Sequence, residues 1–129
     1  MYPNFEKNKV IRSFDGSSFL QPLTARPNKI RNFKNKKMMP IIAKGSCTSY
    51  VLACCAKEAI AMDMTQFNLI LGFDESKGII TAQSGILMYS IIEFLQSKGF
   101  IFPTVPGNPY ATLGGAVAAN VHGKNSYKS

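Results

Sequence analysis

Hydrophobic and polar positions alternate most regularly between residues 88 and 97. Four apolar side chains recur there at helical spacing: Met88, Ile91, Ile92 and Leu95. Apolar residues repeated every three or four positions place one apolar stripe along a helix. The following Lys98-Gly99 supplies a cation and a glycine, which are typical of a helix end. The pattern therefore predicts a helix over Met88–Ser97.

Shorter apolar runs predict strands. Residues 69–73 and 79–82 flank the polar, glycine-containing stretch 74–78, which is the pattern of a β-hairpin. The run Met38 to Ala43 predicts a buried strand, and Pro40 restricts it to an edge or first position because proline has no backbone N–H to donate. Residues 100–102 predict a further short strand before Pro103.

The remaining stretches are less regular. Residues 1–24 are interpreted as a polar approach segment with a turn at 15–18, followed by a short helix over 28–33 capped by Asn28. Residues 50–58 predict one or two buried helical turns, and 65–68 a turn. The small residues of 112–119 predict a helix that ends at 120–123, and no element is predicted for 123–129. Alternating strands and helices indicate an α+β or α/β class.

Length and composition limit the possible classes of protein. The 129 residues suit one small domain or a piece of one, and the apolar fraction of 46% supports a packed core. No apolar run reaches the roughly 20 residues needed to span a bilayer, and no signal-peptide pattern is present. Three cysteines and a lone His122 predict neither a disulfide framework nor a metal site. We expect reduced thiols and a cytoplasmic location.

The net charge of +8 is concentrated in the first third of the chain. Residues 1–44 hold ten of the fifteen lysines and arginines, whereas the remainder is neutral. Such a patch could attract nucleic acid, anionic lipid or an anionic ligand. A solvated basic face is favoured, because aromatic residues are not interleaved with the charges as base stacking would require. We therefore expect no nucleic-acid partner.

Two glycine-bearing loops are candidate binding sites. The first, residues 43–49, contains small residues between a predicted strand and predicted helical turns, which suits a phosphate or diphosphate. From spacing alone, an ordinary strand-to-helix turn is favoured. The second, residues 106–123, has a proline-fixed turn and then Gly114-Gly115 at a helix start. A flat ligand against this backbone and tight packing on a sheet are about equally supported.

Five segments, in order along the chain, resemble the flavin-binding domain of the vanillyl-alcohol-oxidase type, also called the PCMH-type FAD-binding domain. The subgroup most similar to them contains decaprenylphosphoryl-ribose oxidase and related FAD oxidoreductases. The segments are Pro40-Ile-Ile-Ala-Lys-Gly-Ser, Asp63-Met-Thr-Gln-Phe-Asn, Gly78-Ile-Ile-Thr-Ala-Gln-Ser-Gly85, Pro106-Gly-Asn-Pro-Tyr-Ala-Thr-Leu-Gly-Gly-Ala and Val121-His-Gly-Lys-Asn125. The resemblance implies an α+β fold with a small βαβ-containing first subdomain and the start of a second.

The resemblance also implies site residues. The loop within 43–53 would contact the FAD diphosphate, and a later set would contact the ribityl and isoalloxazine groups. Tyr50, His122 and Lys124 match positions near the substrate pocket of the sugar oxidases. The implied FAD-binding residues are Ala43, Lys44, Gly45, Ser46, Cys47, Thr48, Ser49, Tyr50, Gly107, Thr112, Leu113, Gly114, Gly115, Ala119, Asn120, Val121 and His122.

The first loop departs from the family pattern Arg-Gly-x-Gly-[Arg/His]-Ser-x-Gly. Lys44 replaces the arginine, and Cys47 and Val51 replace two glycines. If the family glycine at 47 needs a positive φ, the cysteine would be strained by roughly 1 kcal/mol or more. Thr48 stands where some relatives attach flavin through histidine, so the resemblance implies noncovalent FAD.

The resemblance covers residues 23–129 and leaves 1–22 as an N-terminal approach segment. The family's later sheet and substrate domain have no counterpart after Ser129, so we expect a fragment whose missing half is a possible partner. The favoured function is flavin-dependent oxidation of an alcohol, on a sugar or polyprenyl-phosphate sugar, with no catalytic base assigned. One alternative is an inactive remnant of the same fold. A basic nucleic-acid-binding module is a third and less favoured one.

Overall fold

A computed structural model describes residues 5–33 and 39–125, with the side chains of 124 and 125 left aside. The chain divides into two compact units, Met1–Gln66 and Phe67–Ser129. Both contain strands, and helical segments occur in each, which confirms the predicted mixed α+β class. Among the described residues, no helix has the length and apolar character needed to cross a membrane.

The first unit is built on a four-stranded sheet. Its strands are β1 (Glu6–Arg12), β2 (Ser18–Ala25), β3 (Ile41–Lys44) and β4 (Ile60–Asp63), in the spatial order β1-β2-β4-β3. β1 and β2 are antiparallel, whereas β4 runs parallel to both β2 and β3. The carboxyl ends of β2, β3 and β4 therefore lie at the same edge of the sheet.

Residues 1–24, interpreted as a polar approach segment with a turn, contain the strand β1 and most of β2. β1 and β2 form a hairpin around the predicted turn, where Gly16 has φ of +87° and the Asp15 carboxylate accepts hydrogen bonds from Ser13 and Ser17. β1 was not predicted because it is an edge strand in which Ile11 alone is buried, so its sequence lacks an alternating apolar pattern. The division of the chain after residue 22 remains a prediction, and β2 runs across it.

The segment between β2 and β3 follows the sequence more closely. The short helix expected over 28–33 is present as a 3₁₀-helix, η1 (Ile30–Phe33). The strand expected over 38–43 begins at Ile41, directly after Pro40, and lies at the sheet edge as the proline required. Its first expected residue, Met38, lies outside the described residues.

The helical turns predicted for residues 50–58 are absent, and bends and turns connect β3 to β4 instead. The buried side chain of Gln21 forms hydrogen bonds with backbone groups of this connection. Its amide nitrogen donates to the carbonyls of Ala56 and Ala59 at 2.9 and 2.8 Å, and its oxygen accepts from the Ala56 N–H at 3.0 Å. These groups are therefore satisfied without an i→i−4 helical pattern.

The second unit confirms the two most regular predictions. β5 (Ile70–Asp74) and β6 (Ile79–Ala82) form the expected antiparallel hairpin, and α1 covers Met88–Ser97. Lys98 is the C-cap residue of this helix, and Gly99 has φ of +79°. The buried core of this unit consists of Ile86, Met88, Ile91 and Leu95.

The rest of the second unit differs in part from the prediction. The prediction of a strand at 100–102 was wrong. Phe100 and Phe102 pack on the core of this unit, and the strand β7 begins later, at Thr104–Val105. β7 pairs with β8 (Lys124–Asn125), so the expectation of no element after residue 123 was also wrong at 124–125, while 126–129 lie outside the described residues. The predicted small-residue helix is present as α2 (Leu113–Ala118).

Candidate functional site

Charged residues gather where three parallel strands of the first unit end. Lys44 is the last residue of β3 and Asp63 the last of β4, and the two are direct partners in the strand register. Arg26 follows the last residue of β2. Ligands of open sheets that contain parallel strands commonly bind beyond the carboxyl ends of those strands. This edge is therefore the candidate site of the first unit.

An ion pair fixes the base of the first loop. The Lys44 ammonium lies 3.0 Å from one Asp63 oxygen and also donates to the Gly45 carbonyl at 3.1 Å. The second Asp63 oxygen accepts from the backbone N–H and the hydroxyl of Thr65 at 3.0 and 2.6 Å. The Thr65 hydroxyl in turn accepts from Arg26 at 3.1 Å. Lys44 is thus committed to Asp63 and to the loop backbone.

The pKa values of this pair reflect burial opposed by strong partners. Burial disfavours the Asp63 carboxylate, but hydrogen bonds from Thr65 and Lys44 outweigh it and hold the Asp63 pKa below its usual value. Burial likewise disfavours the Lys44 ammonium, and its bond and attraction to Asp63 raise the Lys44 pKa overall. Both groups are charged at neutral pH, and each stabilises the other.

The loop after Lys44 has a strained residue at its centre. Cys47 adopts φ of +58°, the left-handed conformation in which glycine is favoured. The strain anticipated for a cysteine at this glycine position is therefore present. Within the described part of the chain, the Cys47 and Thr48 N–H groups donate to no backbone carbonyl. A left-handed residue is one half of the backbone pair that forms anion-binding nests.

The β1–β2 hairpin braces this loop. The Phe14 N–H at the hairpin tip donates to the Ser49 carbonyl at 3.1 Å. The Phe14 ring meets Tyr50 edge to face, with centroids 5.3 Å apart. Tyr50, a substrate-pocket candidate, is 71% exposed. The hairpin that the sequence did not predict thus positions one of the predicted site residues.

In the second unit, the glycines in and before α2 differ in their surroundings. Thr112 caps the helix by accepting from the Gly115 N–H at 3.2 Å. A Cβ on Gly114 would lie 3.0 Å from both the Cβ and the carbonyl oxygen of Ser84, so Gly114 is needed for close packing. A Cβ on Gly107 would meet nothing within 4 Å beyond its chain neighbours. The space at Gly107 is therefore open.

The turn containing Gly107 is anchored to the start of α1. The N–H groups of Met88 and Tyr89 donate to the carbonyls of Ala111 and Pro109 at 2.9 and 2.8 Å. The Tyr89 and Tyr110 rings stack at 6.1 Å. Because the first turn of a helix has no internal partners for its N–H groups, these contacts both complete α1 and fix the loop.

The end of α2 and the residues that follow it are exposed. Ala118 and the residues 119–122 are exposed, and Asn120 is left-handed with φ of +46°. His122 lies on this exposed stretch, whereas the side chain of Lys124 lies outside the described residues. The predicted residues 43–50 are thus contiguous in the first unit, and 107–122 form a second set within the other unit.

Sequence reasoning did not assign Asp63, Arg26 or Gln21 to the site. The available signal was the position of Asp63 directly after an apolar run, which would have marked the end of a buried strand. Gln21 carries no comparable signal, because its partners lie 35 and 38 residues further along the chain. Among the described residues, no group of three or more His, Cys, Asp or Glu side chains could hold a metal ion.

Comparison with known proteins defines the class of fold. The structure superimposes on cholesterol oxidase from Brevibacterium sterolicum with a TM-score of 0.77 at 18% identity, covering 95% of this chain and 26% of that one. It also matches alkyldihydroxyacetonephosphate synthase with a TM-score of 0.67 at 20% identity, covering 80% of this chain and 22% of that one. The fold is therefore that of the PCMH-type FAD oxidases.

The family model described as FAD binding domain matches residues 28–129, and the chain belongs to that family. A D-lactate dehydrogenase from Anaerostipes hadrus is 30% identical over 95 residues, covering 73% of this chain and 20% of the relative. Decaprenylphosphoryl-β-D-ribose oxidase from Mycolicibacterium smegmatis is 26% identical over 89 residues, covering 69% and 19%. The chain thus spans about a fifth of these relatives, and the predicted family is confirmed.

Proposed function

We propose that this chain binds FAD, with residues 43–50 at the diphosphate and Gly107, Thr112–Gly115 and Ala119–His122 at the ribityl and isoalloxazine groups. The observation that supports this most directly is the loop at the carboxyl edge of β3, whose Cys47 is held left-handed. Strain of about 1–2 kcal/mol at a non-glycine residue persists only where the surroundings impose it. A loop that must present its N–H groups to a diphosphate imposes that conformation.

Space and surface in the second unit suit the flavin. The Cβ position at Gly107 is open, and Ala118 and Ala119 present short, exposed side chains at the end of α2. A flat ring system can approach a backbone closely where side chains are short. Gly114 is the exception, because its missing Cβ is already used for packing on Ser84.

The mode of binding follows from the residue types present. Thr48 occupies the position at which some relatives carry a flavin-linked histidine, so FAD is bound noncovalently. When bound, FAD supplies the acceptor for a hydride from an alcohol carbon. We propose oxidation of a CH–OH group, on a sugar or polyprenyl-phosphate sugar, as the activity of the protein to which this domain contributes. Tyr50, His122 and Lys124 are the residues proposed near the substrate. Three free cysteines support a reducing, cytoplasmic location.

Titration of the purified chain with FAD tests the proposal. We expect quenching of flavin fluorescence with saturation, together with a rise in the unfolding temperature because the ligand binds the native state alone. Acid precipitation of the complex should leave all flavin in the supernatant, as noncovalent binding requires. Flavin that stays with the precipitate would contradict the noncovalent mode.

The alternative function is a remnant that keeps the fold without FAD. Two observations favour it: Lys44 is already paired with Asp63, and Cys47 is strained where the family has glycine. A folded chain that neither quenches flavin fluorescence nor gains thermal stability with FAD would establish this alternative. The same titration therefore decides between the two functions.

A further inference from the structure

Three thiols meet in the connection between β3 and β4. The Cys47 sulfur lies 3.7 Å from the Cys54 sulfur, and the Cys54 sulfur lies 3.9 Å from that of Cys55. All three cysteines are free and partly exposed. A disulfide has its sulfurs about 2.05 Å apart, so Cys47 and Cys54 need an approach of about 1.7 Å. Both residues lie in a connection of bends and turns, without helix or strand.

The two thiols differ in character although they share one hydrogen bond. The hydrogen bond with Cys47 lowers the Cys54 pKa, and the nearby Lys44 ammonium adds to this, whereas burial and the neighbouring Cys55 raise it. The same hydrogen bond and burial raise the Cys47 pKa, despite the attraction of Lys44. Cys54 is the sulfur that contacts both of the others, and its lowered pKa favours the thiolate form there. Peroxide-sensitive cysteines commonly show this pairing of a reactive and a resolving thiol.

We propose that Cys54 is a site of oxidation by hydrogen peroxide and that Cys47 resolves the product into a reversible disulfide across the loop. The Cys54 thiolate attacks one peroxide oxygen and the O–O bond breaks, which gives a sulfenic acid and a hydroxide that takes up a proton. The Cys47 sulfur then attacks the Cys54 sulfur, the S–O bond breaks, and the released hydroxide takes the Cys47 proton. Two thiols and one peroxide become one disulfide and two waters.

The consequence for the loop rests on the proposed function. The disulfide would join the left-handed Cys47 to a residue seven positions along the chain and limit the freedom of residues 47–54. Pre-organising a binding loop strengthens binding because less ordering remains to be done. We expect the oxidised chain to bind FAD about threefold or more tightly than the reduced chain.

Intact mass measurement tests the oxidation. The reduced full chain is treated with one equivalent of hydrogen peroxide, its remaining thiols are alkylated, and the linked peptides are mapped. We expect the loss of two hydrogens, one alkylated cysteine at Cys55, and a Cys47–Cys54 crosslink that a dithiol reductant reverses. A crosslink between Cys54 and Cys55, or no crosslink in the wild-type chain, would overturn the proposal irrespective of FAD.

Three variants assign the roles. Cys55→Ser is the matched control and should form the crosslink at the wild-type rate. Cys47→Ser should accumulate a sulfenic acid on Cys54 that dimedone traps, whereas Cys54→Ser should react at least tenfold more slowly with peroxide. Wild-type reactivity in Cys54→Ser would overturn its assigned role. If the serine variants do not fold, the wild-type peptide map alone decides.

Flavin titration of the oxidised and reduced wild-type chains separates the two proposals. A crosslink accompanied by tighter FAD binding supports both. A crosslink with unchanged affinity retains the oxidation site and overturns its control of the loop. A crosslink in a chain that binds no FAD in either state retains the oxidation site and overturns the proposed function instead.

Discussion

A largely buried ion pair between Lys44 and Asp63 lies at the start of the first loop. Lys44 and Asp63 are 13% and 16% exposed as side chains, so each would lose much of its hydration without its partner. Removing one member of such a pair leaves an uncompensated charge, which is more costly than the pair is favourable. The pair also bonds to Gly45 and Thr65, so it ties the ends of β3 and β4 to the turns that follow them.

Asp63→Asn should destabilise the chain by about 2 kcal/mol at pH 7, because Lys44 loses a buried anionic partner. The Asp63 pKa is lowered in the native state, so its stabilising effect is complete above the unfolded pKa of about 3.9. The effect is lost as pH falls below that value through the native pKa. Urea unfolding of both proteins between pH 7 and pH 2 should therefore show the difference shrinking in acid.

The matched control for this change is Glu75→Gln. Glu75 pairs with Lys98 at 3.6 Å, but both side chains are about half exposed, at 60% and 47%. Exposed pairs contribute about 0–1 kcal/mol. A control as destabilising as Asp63→Asn, or a difference for Asp63→Asn that persists unchanged at pH 2, would show that the Asp63 carboxylate charge is not the cause.

Gly123→Ala tests whether the backbone of Val105 needs the space that glycine leaves at position 123. A Cβ there would lie 2.0 Å from the Val105 carbonyl oxygen, so the β7–β8 pair would have to separate. Forced overpacking of this kind is expected to destabilise by about 2 kcal/mol. The open position Gly107→Ala should stay within about 0.5 kcal/mol. Thermal unfolding compares the two, and equal effects would contradict the geometric explanation.

At the scale of elements, the structure separates what local pattern determines from what distant contacts determine. α1 and the β5–β6 hairpin were predictable because their apolar residues and turn glycine act within a few positions of one another. The connection 45–59 was not, because its backbone is held by Gln21 across 35 residues or more. The small apolar residues of this connection predict a helix from local pattern alone, because that pattern contains no information about the distant Gln21.

Gln21→Met should therefore be among the most destabilising single changes in the first unit. The side chain is fully buried, and methionine of similar size would remove the partner of the Ala56 N–H and one hydrogen bond from each of three carbonyls, those of Leu23, Ala56 and Ala59. Each unsatisfied buried group is expected to be unfavourable by about 1–3 kcal/mol, so a loss of about 3 kcal/mol or more follows. Chemical denaturation measures it.

Gln96→Met, at an exposed position near the end of α1, is the comparison for this substitution. It changes the same atoms without burying any polar group and should stay within about 0.5 kcal/mol. Hydrogen exchange provides a second readout, because the amides of residues 45–59 should lose protection in Gln21→Met. Unchanged exchange there would mean that the connection is held by something other than Gln21.

At the scale of the whole molecule, the two sets of predicted site residues stand differently. For residues 43–50, the family motif has glycine at position 47, and Cys47 is left-handed there, as a glycine position allows. The sequence alone does not give this φ angle, so it predicted strain only if the family glycine has a positive φ. For residues 107–122, small residues alone did not distinguish packing from ligand contact. The structure divides them: Gly114 packs on Ser84, whereas Gly107 borders open space. Backbone conformation and neighbour distances, which residue identities do not encode locally, made the difference.

The FAD dissociation constant tests the proposed diphosphate and flavin residues separately. The surroundings already hold Cys47 left-handed, so Cys47→Gly adds backbone freedom to the unbound loop and should raise the FAD dissociation constant about threefold under reducing conditions. Gly107→Ala places a methyl group in the space proposed for the cofactor and should raise it about tenfold. Cys47→Ala keeps the strain without the thiol, and Gly72→Ala fills open space in β5 away from the proposed residues, so neither should change the constant. If Gly107→Ala behaves as Gly72→Ala does while Cys47→Gly still acts, the diphosphate assignment stands and the flavin assignment in the second unit is wrong.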